Sequence, residues 1–388
     1  MPLRVETGVP YGNACDTEVV EEGGAAEVRF AADPHGGPEC LWFCFRLAAD
    51  GPPRGGGPPA AGRVRLVLKH PHNMLGVGRG ENLRPVIRRP GSDWERLPGP
   101  SVEVFPDGRH VAAWTVPAPD PWLDLALCYP YGMPEVRRLV EETGGYWRAD
   151  TIGVSQAARP IVRLSNSAGE KDGKRPGLYL LARQHSGETP GSWVLDGVLR
   201  RMAARGPETP LVWAVPLANI DGVEQGDYGK DNFPYDLNRA WGHAPQGQPM
   251  RHEIMVIERD VRAWKERCRP MLGLDFHAPG GNEAAGAYVF VPDPQAQAER
   301  HRAAAPWFQR MAQALGDLAA KDFARVARYP SRWTTPSFRE FFESSGAPGL
   351  CLETPYAMVG ERVLGRQDYG QMGRRLADGL AAQAATTV

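Results

Sequence analysis

Apolar positions in the first third of the chain come in short runs, several alternating with polar residues, divided by clusters of glycine and proline. Ala26–Phe30, Leu41–Phe45, Arg63–Leu68, Ser101–Phe105 and Trp122–Leu127 have this form. Two-residue periodicity with such punctuation predicts strands of a β-sandwich. The stretch Asp50 to Pro59 is almost entirely Gly and Pro. It reads as a mobile surface loop between strands, not a domain linker, because strand signals continue on both sides.

After Pro134 the period changes. Glu135–Glu142 predicts a short helix, and from there strand-like and helix-like segments alternate. Gly177–Ala182, Leu211–Val215, Met271–Phe276 and Gly349–Glu353 are short apolar runs suited to buried strands. Helices are expected over Trp193–Ala204, with Val194, Leu195, Val198 and Leu199 on one face, and over Glu253–Cys268, Trp307–Ala320 and Asp368–Ala382. The pattern predicts a β-sandwich domain over residues 1–145 and an α/β domain over 146–388. No internal repeat is visible.

With 388 residues, 42% hydrophobic and 23% charged, the chain is long enough for two sizeable cores. A formal net charge of −1 and no long basic run argue against a nucleic-acid or polybasic membrane role. The amino terminus lacks the apolar core of a signal peptide, and nowhere are there about 18 consecutive apolar residues, so a soluble cytoplasmic protein is expected. Cys15, Cys40, Cys44, Cys128, Cys268 and Cys351 show no paired metal spacing and read as reduced thiols.

Candidate chemistry sits at strand ends. His185 and Glu188 follow the run ending at Ala182, and His277 follows Met271–Phe276 just before Ala278-Pro279-Gly280-Gly281. In open α/β sheets, ligands gather beyond the carboxyl ends of strands. Two histidines and a glutamate meeting there would hold a zinc ion and leave it an open position for water. Glu353 ends a fourth run and is a candidate general base. Adjacent Asn238 and Arg239 pair an amide donor with a forked guanidinium, a combination suited to gripping a terminal carboxylate. Asp275 is either a support for His277 or a residue of the opposite strand face, and Arg183 either lines the pocket or pairs at the surface. His35, His70, His72, His110, His243, His252 and His301 carry no assigned role.

Taken together, His-x-x-Glu within Ala182 to Thr189, Asn219-Ile-Asp-Gly-Val223, Asp236-Leu-Asn-Arg-Ala-Trp241, a strand-end His and a late strand-end Glu resemble the zinc carboxypeptidases. Within that family the resemblance is to the cytosolic carboxypeptidase branch, whose members carry a β-rich domain ahead of a mixed-sheet α/β catalytic domain. It implies zinc on His185, Glu188 and His277, a substrate carboxylate on Asn238 and Arg239, and Glu353 as base.

The sequence also departs from the branch. Gly229 stands nine residues before Asn238, where many members have an arginine that polarises the scissile carbonyl. Loss of such a donor costs on the order of 10²–10³ in rate. Lys230, the next residue, is a candidate replacement; otherwise zinc polarises the carbonyl without help, or the substrate differs from an ordinary peptide C-terminus. After His277 the chain also lacks the His-Gly-His-Ser-like stretch of the eukaryotic relatives, so their tubulin substrates do not transfer. Tyr329 and Trp333 occupy the stretch where better-known relatives have an aromatic that closes over substrate, and that role stays open.

The expected activity is removal of a C-terminal residue from a peptide or peptide-like amide with a free carboxylate. The alternatives are an amidase or N-deacylase acting on an acylated amino acid, cell-wall fragment or natural product, and a non-catalytic zinc-containing peptide-binding protein. Oligomeric state is not legible.

Overall fold

Two five-stranded sheets form the amino-terminal part of the chain in a computed structural model that describes residues 2–22, 25–49, 62–242, 247–328 and 333–386. The Gly/Pro stretch 50–59 and Tyr329 fall outside the described residues. One sheet runs Leu3–Glu6, Cys44–Ala49, Trp122–Ala126, Val86–Arg88, Glu95–Arg96; the other runs Cys15–Glu22, Ala25–Ala31, Arg63–Lys69, His110–Pro117, Ser101–Val104. Alternation decides which residues face inward. Val64, Leu66 and Leu68 meet Phe45, Leu47, Leu123 and Leu125 in the shared core, while Val67 joins Val111 and Ala113 in a small outer cluster. The Phe30 ring packs edge-on against Phe43 and Phe45 at 5.2 and 4.8 Å.

One expected strand is displaced. Leu41–Phe45 was read as a strand from its apolar run, but pairing begins only at Cys44. Leu41, Trp42 and Phe43 are buried as loop because the Trp42 indole donates to the Tyr11 carbonyl at 3.0 Å and the side chain lies against Gly187 of the other domain.

The second part is built on an eight-stranded mixed sheet in the order Arg148–Val154, Pro160–Ser165, Leu211–Val215, Pro176–Ala182, Arg269–His277, Gly349–Glu353, Ala287–Phe290, Ala319–Arg325. Its four central strands are parallel and almost wholly buried, as sheets covered on both faces require. Helices Thr189–Arg205 and Arg366–Thr386 cover one face; His252–Lys265 and Phe338–Ser344 cover the other. The expected helix Trp307–Ala320 runs instead over Ala298–Leu315, and Ala319 and Ala320 begin a strand. Pro306 lies inside that helix and its first turns are largely exposed, so the apolar period becomes visible only near Ala304. Among the described residues, no helix is long and apolar enough to cross a membrane.

Register places the chemistry. Ala182 pairs with Phe276, Phe276 with Leu352, and His277 with Glu353, so the segments carrying His185, His277 and Glu353 leave the sheet at one rim. The amino-terminal sheets brace that rim from outside: Gly281 N–H donates to Leu75 O and Asn282 N–H to Gly76 O, each at 2.9 Å. One continuous apolar core spans both parts.

Helices Thr189–Arg205 and Arg366–Thr386 cross backbone to backbone, which only glycine permits. A Cβ on Gly373 would lie 2.1 Å from the Val194 carbonyl oxygen. Gly373→Val is expected to destabilise the fold by about 1–3 kcal/mol through overpacking, read as a lowered Tm in thermal melts; an unchanged Tm would place the helices further apart than described.

Candidate metal centre

The turn after Pro176–Ala182 is held rigid before any metal is considered. Arg183, at a positive φ of 63°, donates through Nε to the Ser186 carbonyl at 2.7 Å and through Nη1 to the Tyr131 carbonyl at 2.8 Å. Its guanidinium is buried, which pulls its pKa down to about 10, and it braces the turn instead of facing a pocket. Gly187 N–H donates to Tyr228 O at 2.9 Å, and Tyr356 Oη donates to Gly187 O at 3.3 Å. Glu188 then leads into helix Thr189–Arg205.

This turn and the end of strand Arg269–His277 bring His185, Glu188 and His277 together, all buried, with one ligand atom of each within 4.8 Å of the others. His185 Nδ1 lies 2.9 Å from Glu188 Oε1, His277 Nδ1 lies 2.7 Å from Glu188 Oε2, and the two Nδ1 atoms are 3.2 Å apart. Each ring's other nitrogen faces a carboxylate. His185 Nε2 is 3.1 Å from Asp236 Oδ1, and His277 Nε2 is hydrogen-bonded to Asp275 Oδ2. A carboxylate on Nε2 fixes the tautomer that carries its proton there, which leaves both Nδ1 atoms as lone pairs directed at one point. Two lone pairs and a carboxylate converging in a buried site call for a cation. Ligands about 2.0–2.1 Å from zinc in tetrahedral directions are roughly 3.3 Å apart, close to the separations found.

The electrostatics agree. For His185, burial alone would lower the pKa, but Asp236 and Glu188 outweigh it and lift the ring to about 9. For Glu188, burial is likewise overruled: the two imidazoles hold its carboxyl well below the usual range. In the absence of a metal, protons supply the positive charge that the cluster requires.

A second grouping, Asp275, His277 and Cys351, shares His277. Its donors are less available. Asp275 Oδ2 already takes hydrogen bonds from His277 and Gln184, and burial pushes the Cys351 thiol up to about 12. The three-residue set at Glu188 therefore fits a divalent metal better.

Glu353 stands beside His277 in register. Among the described residues its Oε1 accepts only from the Cys351 thiol at 3.6 Å, and its buried Oε2 has no hydrogen-bond partner. Burial raises its pKa, against the pull of His277 and Lys230. Lys230 is paired with Glu39 of the amino-terminal part at 3.7 Å and feels Glu188, Glu353 and Asp236. Gly229 next to it has φ of +80°, and a Cβ there would come within 2.3 Å of Ser186 Oγ and 2.8 Å of Ser186 N. The place of the absent arginine side chain is thus filled by the metal turn itself.

Asn238 and Arg239 lie in the short turn Leu237–Arg239, capped by Asp236, whose Oδ1 accepts from Asn238 N at 2.7 Å. The Asn238 amide oxygen is used internally, accepting from Phe338 N at 3.0 Å, while Nδ2 lies 3.3 Å from His277 Nε2, whose proton is directed to Asp275, and so stays available as a donor. Arg239 is half-buried and donates through Nη1 to Asn238 O at 2.7 Å. Trp333 stacks on Tyr235 at 5.1 Å and donates to Asp231, on the same side of the site.

Sequence reading gave Asp236 no role and left Asp275 open. Asp275 had a signal, since residues two apart on a strand share a face. Asp236 had none, being 51 positions from the ring it orients.

Known proteins of similar sequence and fold carry carboxypeptidase names. No family model matches the chain. Cytosolic carboxypeptidase 6 of Mus musculus is 27% identical over 184 residues, covering 42% of this chain and 34% of that protein. Cytosolic carboxypeptidase 1 of Mus musculus is 38% identical over 110 residues, covering 26% and 9%. Among solved structures, a metallo-carboxypeptidase from Burkholderia cenocepacia superimposes with a TM-score of 0.78 at 16% identity, over 100% of both chains. In sequence and fold the chain is similar to the zinc carboxypeptidases, and within them to the cytosolic carboxypeptidase branch. A metallo-carboxypeptidase from Pseudomonas aeruginosa in complex with (2-guanidinoethylmercapto)succinic acid has a TM-score of 0.70 at 17% identity over 98% of both chains. The fold is therefore the metallo-carboxypeptidase fold with an additional amino-terminal sheet domain. The chain matches about a third of the length of the first curated relatives, 34% to 38%.

Two outcomes are expected here. Asp236→Asn should weaken metal binding about 10–100-fold, measured by competition with a chromophoric chelator; unchanged affinity would remove Asp236 from the site. Gly229→Arg should lower stability without gaining activity, because the turn at Ser186 blocks the side chain; a stable, more active variant would contradict the geometry.

Proposed function

We propose that the chain is a zinc-dependent metallocarboxypeptidase that hydrolyses the C-terminal amide bond of a peptide or peptide-like substrate. The observation that carries this reading is the convergence of two Nδ1 atoms and the Glu188 carboxylate beside an unpartnered buried oxygen of Glu353. Zinc held by His185, Glu188 and His277 would supply Lewis acidity and lower the pKa of water toward neutrality. Glu353 accepts the proton of the attacking water, since its Oε2 faces no competing donor, and returns it to the leaving amine. A raised pKa makes that carboxyl a better base than an exposed glutamate. Asp236 and Asp275 keep both rings in the tautomer the metal requires.

Arg239, with Asn238, takes the substrate carboxylate in this reading. The Asn238 oxygen is held by Phe338 N, which leaves its Nδ2 as the donor for the carboxylate beside the Arg239 guanidinium. Lys230 supplies positive charge to the scissile carbonyl in place of the arginine that Gly229 excludes. Similarity to proteins named cytosolic carboxypeptidases supports a cytoplasmic location. We divide the chain at residue 145/146, the β-sandwich shaping one wall of the cleft.

The closed space at Gly229 also favours a second reading, an amidase or N-deacylase whose substrate carries an acylated amino acid. Peptides with free and amidated C-termini separate the two. A carboxypeptidase releases amino acids from free termini, loses this on chelation and regains it with zinc; release that is indifferent to amidation supports the amidase. Glu353→Gln should keep stoichiometric zinc while turnover falls about 10²–10⁴-fold. Metal retention with wild-type turnover would reject Glu353 as base, and wild-type protein that binds peptides without cleaving them would reject hydrolysis altogether.

A further inference from the structure

Beyond Glu353 the metal face of the sheet continues for two more strands, and one residue on it has a polar group with nothing to do. Tyr288 pairs with Glu353 across the antiparallel ladder, as His277 does across the parallel one. Directly opposed residues on neighbouring strands project to the same face. His277, Glu353 and Tyr288 thus stand in a row. The residues two positions back confirm the face, because Asp275 and Cys351, which reach toward His277, pair with each other, and Cys351 pairs in turn with Phe290.

Tyr288 is 6% exposed, yet its hydroxyl has no hydrogen-bond partner among the described residues. Its oxygen is not among the sealed, unsatisfied polar atoms, so it retains contact with solvent. One face of the ring is covered by Arg325, whose guanidinium lies 3.7 Å from the ring centroid and is itself held by Asp322 and Glu283. A cation on one face of the ring fixes its plane. Burial and the neighbouring Glu353 both keep the phenol protonated, which makes it a hydrogen-bond donor at any ordinary pH.

A buried phenol normally finds a partner. We propose that Tyr288 is a specificity-determining residue whose hydroxyl donates a hydrogen bond to the side chain of the substrate's terminal residue. The inference rests on the carboxypeptidase reading for the direction in which substrate lies. With the scissile carbonyl near His277 and the attacking water beside Glu353, the residue being released passes over the next position in the row. A side chain ending in an acceptor, such as a carboxamide, satisfies the phenol; a thioether or alkyl chain of the same length leaves it desolvated and unpaired. Loss of one neutral hydrogen bond of this kind corresponds to about tenfold in selectivity.

The test uses two peptides identical except for C-terminal Gln or Met, which differ little in shape. Wild-type and Tyr288→Phe proteins are loaded with zinc, and metal content and Tm are verified for both. Release of the terminal residue is measured as kcat/KM, and binding of each peptide to the zinc-loaded Glu353→Gln background is measured by calorimetry. Wild type is expected to favour Gln about tenfold in both measurements, and Tyr288→Phe to bring the ratio to within about threefold of unity. Equal handling of the two peptides by wild type, or an unaltered ratio in the variant, overturns the assignment of Tyr288. Tyr288-dependent preference in binding without release by wild type keeps Tyr288 and overturns the hydrolase reading.

Discussion

Everything in the carboxy-terminal part is arranged around the mutual approach of two imidazole nitrogens and one carboxylate in a buried site. The His185 and His277 Nδ1 atoms, 3.2 Å apart, cannot both stay as bare lone pairs beside the Glu188 anion unless positive charge is shared among them. Asp236 and Asp275 behind the rings sharpen that demand, because they hold protons on the outer nitrogens and add two more negative charges. A stable neutral packing solution at this place is excluded by the ligands themselves. A divalent metal resolves the conflict with the fewest groups.

The rest of the structure can be understood as what keeps that conflict from relaxing. Parallel register through Ala182, Phe276 and Leu352 brings the strand ends level, so no long loop has to reach the site. Arg183 ties the metal turn to Tyr131, and the Gln184 amide bridges Trp241 to Asp275, linking the turn that carries Asp236 to the strand that carries His277. The amino-terminal sheets add outer support by hydrogen-bonding the segment after His277 and by packing Trp42 on Gly187. Ligands held on rigid elements by such outer contacts lose little freedom on binding a metal. The same rigidity explains why Gly229 carries no side chain: the turn occupies that volume.

Much of this was legible in the sequence where one period dominated. The four central strands read as apolar runs because both their faces are buried, and His185, Glu188, His277 and Glu353 were found because each lies at or just past the end of such a run. Arg148–Val154 and Ala319–Arg325 were not singled out, because edge strands with one wet face carry too few apolar positions. Helix Phe338–Ser344 was also missed, although Ser337 and Glu340 form a capping box at its start; at seven residues its apolar period is too short to register. Leu41–Phe45 misled for the opposite reason, since a loop buried between domains is as apolar as a strand. Asp236 and Tyr288 acquire their roles only through contacts distant in sequence, and local pattern contains no trace of them.

The central claim is that metal binds through two imidazoles and the Glu188 carboxylate, and not through the neighbouring thiol. Zinc-edge X-ray absorption on the zinc-loaded protein tests it most directly. The account predicts only nitrogen and oxygen scatterers at about 2.0–2.1 Å, with the multiple-scattering signature of two imidazoles. A sulfur scatterer at about 2.3 Å would place the metal on Cys351 and contradict it.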